Sequence, residues 1–147
     1  MRVAGHTFLF REARWRAAGE YRDAAGAATP VDGETRIRHE PARWISEGLM
    51  RVRRSPPLEQ RILYDIAPFS PGAVATHWSA DNPQLGALNG RFVLAGDTIL
   101  SFYASATGRY RGFESLQQRD PKRYAVRGAM LEQDKLISTW TLELEAE

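Results

Sequence analysis

The sequence predicts an all-β protein, a single up-and-down antiparallel β-barrel of about ten strands with little helix. Three observations carry this. Apolar and polar residues alternate with period two along most of the chain, the signature of strands with one buried face, and no segment has a helical period. The breaks between strands are short and hold Gly, Asp or Pro, as at Thr107-Gly108, Asp120-Pro121-Lys122 and Gln133-Asp134, which closes hairpins between sequence neighbours. Glycine recurs in mid-strand, at Gly19, Gly48, Gly90, Gly112 and Gly128, where a closing sheet bends or inner side chains meet. An antiparallel sheet of that size with one apolar face curls and closes on itself, which removes its edges. A two-sheet sandwich would need longer crossovers than this chain contains.

Residues 1–12 form a lead-in, a short helix or an extended arm. Arg14–Arg22 is the first strand, with Trp15, Ala17, Gly19 and Tyr21 on one face and Arg14, Arg16, Glu20 and Arg22 on the other. Ala24–Pro30 is a small-residue loop. Gly33–Glu40 follows, with Thr35, Ile37 and His39 together, and Pro41 ends it. Trp44–Arg53 carries Trp44, Ser46, Gly48, Met50 and Val52 on one face, and the Ser55-Pro56-Pro57 run then breaks the ladder. Gln60–Ile66 aligns Ile62, Tyr64 and Ile66. Ala73–Ser79 aligns Val74, Thr76 and Trp78 and turns His77 to solvent, before a turn at Asp81-Asn82-Pro83. Leu85–Leu94 leads into a terminal meander of four strands: Thr98–Ala106, Arg109–Arg119, Arg123–Gln133 and Lys135–Glu145. There Tyr110, Gly112, Glu114 and Leu116 share a face, as do Tyr124, Val126, Gly128 and Met130. So do Leu136, Ser138, Trp140, Leu142 and Leu144.

The length of 147 residues suits one domain over residues 1–147, with the lead-in as its first segment. There is no cysteine, which excludes disulfides, thiol chemistry and cysteine-based metal sites. No apolar run reaches the roughly 20 residues that span a bilayer. The patch Thr7–Phe10 is too short for a signal peptide, so a cytoplasmic protein is expected. The net charge of +2 comes almost wholly from dispersed arginines, densest at Arg51, Arg53 and Arg54, and the pattern matches no nucleic-acid-binding module.

The Trp15…Gly19-x-Tyr21 opening strand resembles the tryptophan-bearing first strand of the calycin group, that is, the lipocalins, fatty-acid-binding proteins and nitrobindin-like proteins. The run Tyr110-Arg111-Gly112-Phe113-Glu114, with Tyr124-Ala125-Val126-Arg127-Gly128 after it, is similar to the closing strands of small bacterial lipocalin-like proteins. The resemblance implies a barrel that encloses one small ligand. It does not select a subfamily. In particular, the last histidine is His77, whereas a nitrobindin-like protein carries its iron ligand late in the chain.

Barrels of this size commonly enclose room for one small molecule, so the inward polar residues are the candidates. Glu114 would be a carboxylate in an apolar interior, able to act as acid, base or anchor. His39 could bind a metal or haem, or accept a proton. Tyr110, Tyr21, Tyr64 and Tyr103 offer hydroxyls toward a ligand oxygen, and Trp44 and Trp78 offer walls. Trp15 and Trp140 read as plugs for one end. The three histidines are too far apart for a metal site, and no cofactor or catalytic set is specified. The expected function is the binding of a lipophilic or aromatic small molecule inside the barrel. The alternatives are acid–base isomerase or lyase chemistry on the same fold, or haem binding through His39. Apolar residues on the second face (Ile45, Leu49, Leu63 and Leu100) leave a homodimer open.

Overall fold

The computed structural model describes residues 5–147. They form ten strands: β1 (Ala13–Asp23), β2 (Ala28–His39), β3 (Trp44–Val52), β4 (Leu58–Ile66), β5 (Ala75–Asn82), β6 (Gly86–Ala95), β7 (Thr98–Ser105), β8 (Tyr110–Asp120), β9 (Arg123–Glu132) and β10 (Lys135–Ala146). Each strand pairs antiparallel with its sequence neighbours, and β1 pairs with β10 from Trp15–Ala146 to Asp23–Ser138, so the sheet closes. There is no helix among the described residues.

The boundaries differ from expectation at two hairpins, and both times a turn-forming side chain is the reason. β2 begins at Ala28, inside the expected Ala24–Pro30 loop. Asp23 Oδ1 accepts from Ala25 N at 2.9 Å and Ala27 N at 3.0 Å, and Gly26 sits at φ 86°, so the chain reverses within a few residues. β5 runs on through Asp81 to Asn82, whose Oδ1 accepts from Gln84 N and Leu85 N to make the turn.

The inner face is the one the alternation indicates: Trp15 and Ala17, Thr76 and Trp78, Leu116, Tyr124 and Val126, and Leu142 and Leu144 are all buried. Val74, just before β5, and Leu136 are exceptions, and Val74 is 51% exposed. The β9–β10 ladder shifts register between Leu136 and Ser138, and Leu136 is left 43% exposed. On the second face Ile45 is nonetheless buried, while Leu63 is exposed. The Arg51–Arg54 cluster is largely neutralised: Arg51 pairs with Asp32 and Glu34, and Arg53 with Asp32, at 2.6–2.9 Å. These arginines hold the Asp32 carboxyl below its usual range.

The described part of the lead-in, residues 5–12, is neither a helix nor an arm. Residues 1–4 lie outside the described residues. A turn closed by Arg11 N donating to Thr7 O drops Phe8 and Leu9 into one end of the barrel, 7% and 1% exposed. The Tyr124 hydroxyl anchors it, accepting from Thr7 N at 3.1 Å and Phe8 N at 3.4 Å and donating to His6 Nδ1 at 2.8 Å. The other ring nitrogen of His6 donates to Gly96 O at 2.9 Å, so the imidazole bridges the Tyr124 hydroxyl and the β6–β7 turn. Trp15 packs edge-on against Phe8 and Tyr124 and plugs this end, as expected.

One seam is weaker than the rest. β4 and β5 pair only through Tyr64–Ala80, Asp65–Ser79 and Ile66–Trp78. The residues of β4 from Leu58 to Leu63 have no β5 partner, although all of them pair with β3.

Candidate functional site

A cavity of about 180 Å³ lies inside the barrel, with Phe8 and Leu9 at its floor and Met50 and Gln60 toward the opposite end. Its walls are mostly apolar and aromatic: Tyr64, Trp78, Phe92, Tyr103 and Trp140, with Ile62, Leu116, Val126, Leu142 and Leu144. An apolar cavity of about 150 Å³ takes one benzene ring, so this one is sized for a single-ring molecule. Its polar groups are Glu114, the Tyr64 and Tyr103 hydroxyls, Gln60, Thr35, Ser46 and Ser101.

Glu114 is set in the wall by register. It stands opposite Ser101 of β7 and Gly128 of β9. Gly128 in turn pairs with Trp140 of β10, and the indole lies flat over the glycine; a Cβ at Gly128 would fall inside that ring. Lying there, Trp140 Nε1–H donates to Glu114 Oε2 at 2.7 Å. On the other flank the Tyr103 ring takes the space above Gly112 in the same way. The two glycines flanking Glu114 in the sheet thus bring a tryptophan and a tyrosine toward it.

Burial pushes the Glu114 carboxyl above the usual carboxylate range, and the Trp140 hydrogen bond pulls it back in part. Burial also raises Tyr64, helped by the negative charge of Glu114 and by Tyr103. Tyr103 is raised by burial and then by Glu114. Both phenols are therefore neutral donors at neutral pH. No Arg, Lys or His lines the cavity among the described residues.

Of the eight residues expected to face a ligand, Glu114, Tyr64, Trp78 and Tyr103 line the cavity. Tyr64 meets Trp78 edge-on at 4.8 Å, and Trp78 meets Tyr103 at 5.7 Å. The other four do not line it. Tyr110 sits at the start of β8, under the Arg109 guanidinium at 5.2 Å. Tyr21 packs against the core but outside the cavity. His39 stacks on Trp44 at 4.3 Å and donates from Nε2 to Leu9 O at 2.7 Å, while Trp44 packs on Phe10 and Phe69. That pair secures the lead-in, and neither His39 nor Trp44 is among the residues that line the cavity. No group of three or more His, Cys, Asp or Glu side chains converges on a metal position among the described residues.

Trp140 is a correction. Sequence reasoning makes it an end plug, yet it lines the cavity and holds the carboxylate. The turn at Gln133-Asp134 alone would set Trp140 opposite Arg127; the bulge between Leu136 and Ser138 moves it one residue, onto Gly128, and nothing in the alternation marks that bulge. Trp78 adds a second feature the alternation did not show, a buried Nε1–H with no hydrogen-bond partner.

No protein-family model matches the chain, and no curated protein matches it. Among solved structures it is similar to the S-type phycobiliprotein lyase CPES from Guillardia theta, with a TM-score of 0.67 and 11% identity over 95% of this chain and 90% of that chain. A candidate AttH from Nitrosomonas europaea aligns over 99% of this chain and 54% of that one at 12% identity, with a TM-score of 0.34, too low to bear on the fold. The class is therefore a closed, ten-stranded, up-and-down antiparallel barrel, a fold it shares with the lyase structure. Among the described residues its interior holds an aromatic-walled cavity lined by a single carboxyl group.

Proposed function

We propose that the chain is a cytoplasmic binding protein that holds one small, lipophilic or aromatic molecule inside its barrel. The observation that carries this reading is the cavity itself, which lies inside the barrel, half open to its surroundings, aromatic-walled and about 180 Å³, with few polar groups. Glu114, Tyr64 and Tyr103 would orient the ligand, and Trp78 and Trp140 would sandwich its apolar part. A phycobiliprotein lyase on a similar barrel is in keeping with this reading, although one fold serves many functions.

The test is the native mass of freshly purified protein against its denatured mass, for the wild type and for Gly48→Leu. Gly48 lines the cavity and a Cβ there would make only ordinary contacts, the nearest to Thr35 Oγ1 at 3.6 Å, so leucine is accepted without a clash at its Cβ and extends into the cavity. The expected result is a non-covalent adduct on the wild type that Gly48→Leu lacks. An adduct kept by Gly48→Leu, or none on either protein, would contradict the reading.

One observation favours a second reading, an acid–base isomerase or lyase. Glu114 is a carboxyl of raised pKa beside two neutral phenols, a set that can move a proton on a bound substrate. Turnover of a candidate substrate that survived Glu114→Gln would exclude it.

A further inference from the structure

We infer that the cavity is selective for a small protonated amine bearing an apolar or aromatic group, with its ammonium on Glu114 and its apolar part against Trp78, Tyr64 and Tyr103. This rests on the binding reading above and specifies its ligand.

Three observations on separate residues converge on it. The first is the unused half of the carboxylate. Oε2 accepts from Trp140, but Oε1 has no hydrogen-bond partner among the described residues, and Glu114 has no ion pair among them. A carboxylate has about four lone-pair positions, so most of its acceptor capacity is left for a ligand. The second is the sign of the cavity. Its lining holds one acid and no base, so an anionic ligand would enter against Glu114 with nothing to neutralise it, while a cation would supply the missing partner. The third is the wall. Trp78, Tyr64, Tyr103 and Trp140 line the same cavity as the acid, and aromatic walls favour an ammonium over an isosteric neutral group. The phenols stay protonated and add no negative charge.

The size of the cavity selects the probes. Benzylamine, benzyl alcohol and benzoate share one ring and differ in the charge of a short substituent, positive, neutral and negative at pH 7.5. Calorimetric titration of each into the full chain, with tryptophan fluorescence as a second readout, tests the inference. The expected result is that benzylamine binds at least about tenfold tighter than benzyl alcohol, a difference of about 1.4 kcal/mol, and that benzoate binds weakest. Glu114→Gln should abolish the preference for the amine while benzyl alcohol still binds. Retained alcohol binding also shows that the variant is folded. Equal or tighter binding of the alcohol or the benzoate would overturn the amine inference and leave the binding reading standing. An amine preference that survived Glu114→Gln would also overturn it. If none of the three bound, both readings would fall.

Discussion

At Glu114, burial without a cationic neighbour makes ionising the carboxyl costlier than in water. The consequence for stability has a definite sign. An unfolded glutamate titrates near about 4.3, and the folded group titrates higher. Between the two, the folded chain binds more protons than the unfolded one, so stability is greatest below the unfolded value and falls as pH rises through the folded one. Glu114→Gln keeps an acceptor for Trp140 but cannot ionise. The variant is therefore expected to melt above the wild type at pH 8, and the gap should close as pH falls toward 4, as thermal unfolding at both pH values would show. Tyr124→Phe probes a different buried group. It removes the acceptor of Thr7 N and Phe8 N and the donor to His6, and is expected to lose about 1–3 kcal/mol in urea unfolding. Residue by residue, the alternation was enough to turn Glu114, Tyr64, Trp78 and Tyr103 inward. It could not show which inward residues reach the cavity, because that depends on height along the barrel. Tyr110 and His39 share inner faces with cavity residues, but lie at the ends.

The elements explain how the site stays in place. β8, β9 and β10 form a tight meander in which glycine on one strand faces an aromatic on the next. Gly128→Ala would drive a methyl group into the Trp140 indole. It is expected to destabilise by about 1–3 kcal/mol through overpacking, and to change Trp140 emission as the bond to Glu114 breaks. The seam between β4 and β5 behaves in the opposite way. Leu58–Leu63 lacks a partner on that side, yet Gln60 and Ile62 from this stretch line the cavity. This is where the wall is expected to part most readily to admit a ligand. Amide hydrogen exchange should be faster over residues 58–63 than over β9, and a bound ligand should slow it. Most hairpins were legible because Gly, Asp or Pro marks their turns. The β2 and β5 boundaries were not, because Asp23 and Asn82 turn the chain through their side chains and let the strands run further than composition suggests. Nothing in the alternation shows that β4 and β5 diverge.

At the scale of the whole molecule, closure of β1 on β10 follows from ten strands sharing one apolar face, and both are legible in the sequence. What the closed barrel contains was less readable. One end is filled by Phe8 and Leu9 from a lead-in with no periodic pattern, and the remaining space is left by large aromatics lying on glycines. The protein is thus a barrel closed at one end, with an acidic, aromatic cavity above the plug. The four tryptophans divide between these regions. Trp78 and Trp140 line the cavity, while Trp15 and Trp44 belong to the plugged end. The most direct measurement is a ¹H–¹⁵N spectrum of the four indole N–H groups during titration with benzylamine. The expected result is saturable movement of the Trp78 and Trp140 signals, with Trp15 and Trp44 unmoved. If Trp15 or Trp44 moved while the cavity pair stayed still, or if no indole moved at all, the cavity would not be the binding site.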